Sequence, residues 1–169
     1  MSERCSFASL CSALRDRISF ESAASNYRAL ERAARLVGHR WLTRDAALGA
    51  TSGSGTLLLD RTSWAHSLLR VDKPVGEPPV TIVTLEQALS ELPPGGTRTI
   101  VKIDAEGGEC NILIRPGALS RIDLLMVEWH ARTAPCTALQ LAQAPPSSST
   151  RRSVCTELSN STSEATSSM

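Results

Sequence analysis

A chain of 169 residues suits a single domain and is long enough to bury a substantial apolar core. With 18 Lys and Arg against 17 Asp and Glu, the net charge is +1 and the basic residues are scattered. No strong field therefore favours nucleic acid or an anionic membrane, and no run of about 18 apolar residues marks a membrane-spanning helix.

From the start, Met1 to Arg17 lacks the continuous apolar centre of a signal peptide and reads as a leader or unstructured segment. Ile18-Ser19-Phe20 predicts a short strand ending at Glu21. A helix is expected over Asn26 to Val37, with Tyr27, Leu30, Ala34 and Val37 on one face, Ser25 as its cap and Gly38 as its stop. Trp41-Leu42 begins another extended piece that ends near Asp45. Gly53-Ser54-Gly55 reads as a turn and Thr56 to Leu59 as a strand. Val80 to Val83 predicts a further strand. Thr84-Leu85-Glu86-Gln87 has capping-box spacing, followed by the apolar stripe Leu85, Ala88, Leu89 and Leu92. Pro93-Pro94-Gly95-Gly96 stops that helix.

Two further segments, Thr99 to Ile103 and Leu124 to Val127, are nearly continuous in apolar or β-branched residues. Such strands, separated by helices, predict an α/β fold with a parallel sheet covered on both faces. Between them, Cys110, Leu113 and Ile114 suit a short helix broken near Pro116-Gly117. From Ala144 onward the chain is rich in Ser and Thr and too poor in apolar surface to offset its ordering entropy. The expected organisation is a leader over 1–17, a domain over 18–133 and a disordered tail over 134–169. The five cysteines have irregular spacing and no CxxC, so neither zinc nor a disulfide framework is expected. Free thiols in a reducing, intracellular compartment are the expected state.

Both buried strands end in acid. Ile103 is followed by Asp104-Ala105-Glu106-Gly107-Gly108-Glu109, and Val127 by Glu128-Trp129-His130. Ligands of open parallel sheets bind beyond the carboxyl ends of the strands, so these residues mark a candidate site. Gly107 and Gly108 allow a tight turn and close backbone approach. Three roles are open to the carboxylates: a general base, oxygen ligands for a divalent cation, or acceptors for a ligand's hydroxyl or amino groups. The plain structural alternative is that Asp104 and Glu106 cap the next helix.

These same segments carry a resemblance. Val80 to Glu86, Val101-Lys102-Ile103-Asp104-Ala105-Glu106-Gly107-Gly108-Glu109 and Leu125-Met126-Val127-Glu128-Trp129-His130 resemble the FkbM methyltransferase family, whose segments run "tLD", "lKiDvEGaE" and "i.vE.h". Upstream, Ile18 to Glu21 with Asn26 to Leu30 is similar to its "afEP…n…L" stretch, and Ala46 to Gly53 to its "Al.d..G". The resemblance covers about Ile18 to Ala131. It departs at Ser22, where the family has proline, at Glu86 for Asp, and at Gly108 for a small residue. Met1 to Arg17 contains no glycine, so the family's first strand and "D.GanvG" loop are missing, as in an N-terminally truncated or divergent member.

The resemblance implies a Rossmann-like class I methyltransferase sheet lacking its first strand and glycine loop. It implies S-adenosylmethionine as cofactor and O-methylation of a hydroxyl on a small molecule or glycan. Glu21 would hold the cofactor's ribose, Asp45 and Ala46 would lie near its adenine, and Asp104 would face the cofactor and acceptor. Asp104 is the first choice of base, with Glu106 and His130 behind it; Glu109, Glu128 and Trp129 would contact the acceptor, with Trp64 a further candidate for its pocket. Two alternatives remain: a catalytically inactive Rossmann-like fragment or interaction module, and a metal-dependent hydrolase, for which no ligand spacing is present.

Overall fold

Glu21 ends a six-residue strand and starts a helix. In a computed structural model describing residues 16–37, 40–92, 98–113, 116–130, 135–137 and 155–157, strand β1 (Asp16–Glu21) is followed by helix α1 (Ala24–Val37) and strand β2 (Arg40–Asp45). The strands pair in parallel from Asp16↔Arg40 to Glu21↔Asp45, and α1 packs on both. A parallel pair needs such a crossover. The helix begins before the expected Ser25 cap. Glu21 Oε1 accepts from the Ala23 N–H at 2.8 Å, and the Tyr27 N–H donates to the Ala23 carbonyl, closing the first turn two residues earlier. Asp16 and Arg17, read from the sequence as leader, lie in β1.

Strands β3 (Ala47–Leu48), β4 (Gly53–Thr56) and β5 (Pro79–Val83) form a mixed sheet in the order β3-β5-β4. The Gly53-Ser54-Gly55 segment is therefore strand, not turn. Its glycines permit the pairing: a Cβ on Gly55 would lie 2.5 Å from Ile82 Cδ1. The expected Thr56 to Leu59 strand contributes only Thr56 to β4. Leu58 and Leu59 make isolated bridges to Ser67 and Gly76, so the chain from 57 to 76 is pinned at both ends.

Helix α2 (Leu85–Ser90) carries the full capping box. Gln87 N–H donates to Thr84 Oγ1 at 3.3 Å, and the Thr84 N–H donates to Gln87 Oε1 at 2.9 Å. Leu85, Ala88 and Leu89 are buried. The predicted Pro93 to Gly96 stop lies outside the described residues.

Strand β6 (Ile100–Ile103), helices α3 (Glu109–Leu113) and α4 (Pro116–Leu119), and strand β7 (Leu124–Glu128) follow. β6 and β7 are parallel from Ile100↔Leu124 to Ile103↔Val127. Pro116 opens α4 rather than ending a helix, since the first helical position needs no intrahelical N–H. The main core joins Leu85, Leu89, Ile103, Ile112, Leu113, Leu119, Ile122, Leu125 and Val127. β8 (Cys155–Glu157) pairs in parallel with β7, so these three residues of the expected tail belong to a sheet.

The chain is thus mixed α/β, in three small sheets rather than one continuous sheet among the described residues. No described helix is long and apolar enough to cross a membrane. Cys110 and Cys136 form a disulfide with a Cα–Cα separation of 6.0 Å, which corrects the expectation of free thiols at both positions. Pairing requires only that two Cα atoms come within about 4.4–6.8 Å, and sequence spacing does not report that.

Candidate functional site

The in-phase parallel pairing of β6 and β7 delivers Asp104 and Glu128 to the same edge. Lys102 and Asp104 share one face of their segment because side chains alternate. Lys102 Nζ lies 3.5 Å from Asp104 Oδ2 and 3.7 Å from Glu128 Oε2, across both carboxyl groups. Glu128 and His130 reach that edge from β7, and Asp104, Glu128 and His130 each place one ligand-type atom within 4.8 Å of the others. Trp129, between the two, is buried at 5 % exposure. Trp64, by contrast, is exposed.

The turn after β6 is built around Glu109. Its side chain is fully buried, and Oε1 accepts from the Ala105 and Gly107 N–H groups, each at 3.1 Å. His130 Nδ1 meets the same oxygen at 3.0 Å. Glu109 therefore takes up two N–H groups of the turn that precedes α3. The turn forces Glu106 to φ 46° and Gly107 to φ 99°. A non-glycine residue in this left-handed region costs on the order of 1 kcal/mol. Ser67, itself buried, donates from Oγ to the Glu106 carbonyl at 3.0 Å and fixes that turn from the 57–76 segment.

His130 Nε2 lies 3.3 Å from Glu106 Oε2 and 3.9 Å from Asp104 Oδ1. Burial raises the proton affinity of Glu106 above its ordinary value; His130 opposes this, and Asp104, Glu109 and Glu128 reinforce it. Burial also raises Glu128, helped by the adjoining Asp104 and opposed by Lys102. Burial alone would lower His130. The Glu109 hydrogen bond and the charges of Glu106, Glu109 and Asp104 outweigh it, so the imidazole holds its proton above its ordinary range.

The other expected residues group around β1 and β2. Glu21 and Asp45 are direct neighbours at the carboxyl ends of these strands, and Ala46 beside them is buried. A groove of about 410 Å³ opens at the head of α1, between Ala23, Ser25, Asp60, Thr62, His66 and Pro78. It contains none of the acids around His130. The 57–76 segment reaches both groups: Asn26 Nδ2 donates to the Ser63 carbonyl near the groove, while Ser67 holds Glu106. Sequence reasoning missed Lys102 and Ser67. The alternation Lys102, Asp104 carried a signal for the first, whereas nothing local marks Ser67. No family model, curated protein or solved structure matches the chain.

Proposed function

We propose that the chain carries part of a Rossmann-like, S-adenosylmethionine-dependent methyltransferase site of the FkbM kind, which methylates a hydroxyl on a small molecule or glycan. The observation that supports this best is the placing of acids at the carboxyl ends of two parallel strand pairs, Glu21 with Asp45 and Asp104 with Glu128. Ligands of open α/β sheets bind at such ends.

The cofactor would supply an electrophilic methyl group. Glu21 fits the ribose end: one carboxyl oxygen is fixed by the Ala23 N–H, and the other would accept from a ribose hydroxyl. The adjacent groove falls within the range of about 300–1,000 Å³ usual for ligand sites. On the acceptor side, in-line transfer demands positioning and removal of one proton. Glu106 would take that proton. Its backbone is held by Ser67, and its carboxyl group faces His130. Asp104, engaged by Lys102, would orient the acceptor hydroxyl.

Calorimetric titration of the 169-residue chain with S-adenosylmethionine tests the reading, with Glu21→Ala and Asp104→Ala alongside. Saturable binding, weakened by Glu21→Ala at least about tenfold (roughly 1.4 kcal/mol), is expected. A folded wild-type chain that takes up no cofactor at about millimolar concentration, equivalent to less than about 4 kcal/mol of binding, would sink it.

A further inference from the structure

We propose that Asp104, Glu128 and His130 form a binding site for one divalent cation of the first transition row, from manganese to zinc. The three ligand-type atoms lie within 4.8 Å of one another on the ends of two adjacent parallel strands. Ligand bonds of about 2.0–2.2 Å would bring them to about 3.0–3.5 Å from one another, a closure of up to roughly 1–2 Å that side-chain rotation has to supply. Asp104 and Glu128, at 40 % and 30 % side-chain exposure, have room to turn.

Acids gather on many protein surfaces without a metal, so their proximity alone would carry little. Glu109 supplies an independent observation. Its side chain is fully buried and Oε1 bonds His130 Nδ1, yet Oε2 has no hydrogen-bond partner among the described residues. Buried polar atoms are nearly always satisfied, so the orphan oxygen on the carboxyl group that grips the cluster's imidazole marks a polar partner that the described residues do not supply. A carboxyl group behind an imidazole is also the usual outer partner of a metal-bound histidine. It fixes the tautomer and turns the other nitrogen toward the metal. Here that nitrogen, Nε2, faces Asp104 and Glu106 at 3.9 and 3.3 Å.

Two carboxyl oxygens and one imidazole nitrogen favour manganese to zinc over calcium or magnesium. Three protein ligands leave positions open for water or a substrate oxygen. Lys102 spans the same two carboxyl groups at 3.5 and 3.7 Å. These separations exceed the roughly 2.7–2.9 Å of a strong charge-assisted bond. Its ammonium group is a loose stand-in that the cation displaces. The inference does not rest on methyl transfer; where both hold, the cation seats the acceptor hydroxyl and Glu106 remains to take its proton.

The test titrates the metal-stripped full chain with manganese chloride, without S-adenosylmethionine, following the loss of the free Mn²⁺ signal by electron paramagnetic resonance. One Mn²⁺ per chain is expected, with Kd below about 100 µM, or roughly −5.5 kcal/mol. Asp104→Asn and Glu128→Gln should each weaken binding at least about tenfold, and Glu109→Gln by about 10- to 100-fold through His130. Lys102→Met should tighten it severalfold. An unchanged signal at about 1 mM Mn²⁺ with a chain that circular dichroism shows folded would overturn the proposal, as would full retention of binding by the Asp104→Asn, Glu128→Gln double variant. Manganese binding without cofactor binding upholds this site and counts against the methyltransferase reading; the reverse result does the opposite.

Discussion

Glu109 and His130 stand 21 residues apart in sequence and 3.0 Å apart in space. The glutamate side chain is fully buried and that of the histidine is 15 % exposed. Through this contact the turn after β6 and the residues after β7 become one unit, because the oxygen that meets the imidazole also accepts two backbone N–H groups of the turn. The same two segments are tied again by the disulfide from Cys110, next to Glu109, to Cys136.

Removing the Glu109 carboxyl group should therefore cost far more than losing one ion pair. Glu109→Ala strands the Ala105 and Gly107 N–H groups, and an unsatisfied buried donor costs about 1–3 kcal/mol. A total loss of about 3–5 kcal/mol is expected. Glu109→Gln keeps one acceptor oxygen and should lose only about 1–2 kcal/mol. Urea unfolding midpoints of the two variants check the ordering; equal losses would contradict the acceptor role.

Glu106 offers a change in the other direction. Its left-handed backbone at φ 46° suits glycine, and its carboxyl group stands among Asp104, Glu109 and Glu128. Glu106→Gly should stabilise the chain by up to about 1 kcal/mol, while removing the group assigned to proton removal. Higher chemical stability together with lost methyl transfer is the expected signature. A drop in stability would show that the side chain contributes more than its backbone costs.

Protons and stability should be linked with a definite sign in the metal-free chain, held in chelator. His130 is faced by Asp104, Glu106 and Glu109, with Glu128 and Lys102 beside them. Glu106, Glu128 and His130 all bind protons more tightly when folded. For each, the native state holds more protons than the unfolded state between the two pKa values, so stability falls as pH rises through that interval. The carboxyl contribution declines from about pH 4.3 upward and the histidine contribution from about pH 6.5 upward. Asp60 acts oppositely: hydrogen bonds from Thr62 hold it below its ordinary value, and its contribution is lost as pH falls through the folded value. A higher Tm near pH 5 than near pH 8 is expected in thermal melts, with the difference reduced in Glu106→Gln.

Reduction should loosen the site through the Cys110–Cys136 link beside Glu109. The disulfide closes a loop of sequence separation 26 that contains α4, β7 and His130. A loop of this length corresponds to about 3.5 kcal/mol in the chain-entropy account. Dithiothreitol should lower Tm and expose two more thiols to Ellman's reagent, whereas Cys136→Ser should start low and respond little. A Tm indifferent to reductant would mean that the link adds nothing to the folded state.

Much of the local structure is written in short stretches of chain. The Thr84 to Gln87 box, the β-branched run before Asp104 and the apolar run before Glu128 each specify their element through neighbours a few residues away, and each element forms as read. Alternation along the strands also put Asp104 and Glu128 at a common edge. Other features depend on what lies opposite. Gly53 to Gly55 pairs as strand because Ile82 faces it, and residues 155–157 join a sheet through β7. Cys110 meets Cys136 because packing brings their segments together. The division at the site has the same cause. The sequence by itself determined which carboxyl groups would gather. Only the tertiary structure decided that Glu109 is buried beneath the turn and grips His130, because burial and hydrogen-bond partnership arise from residues distant along the chain.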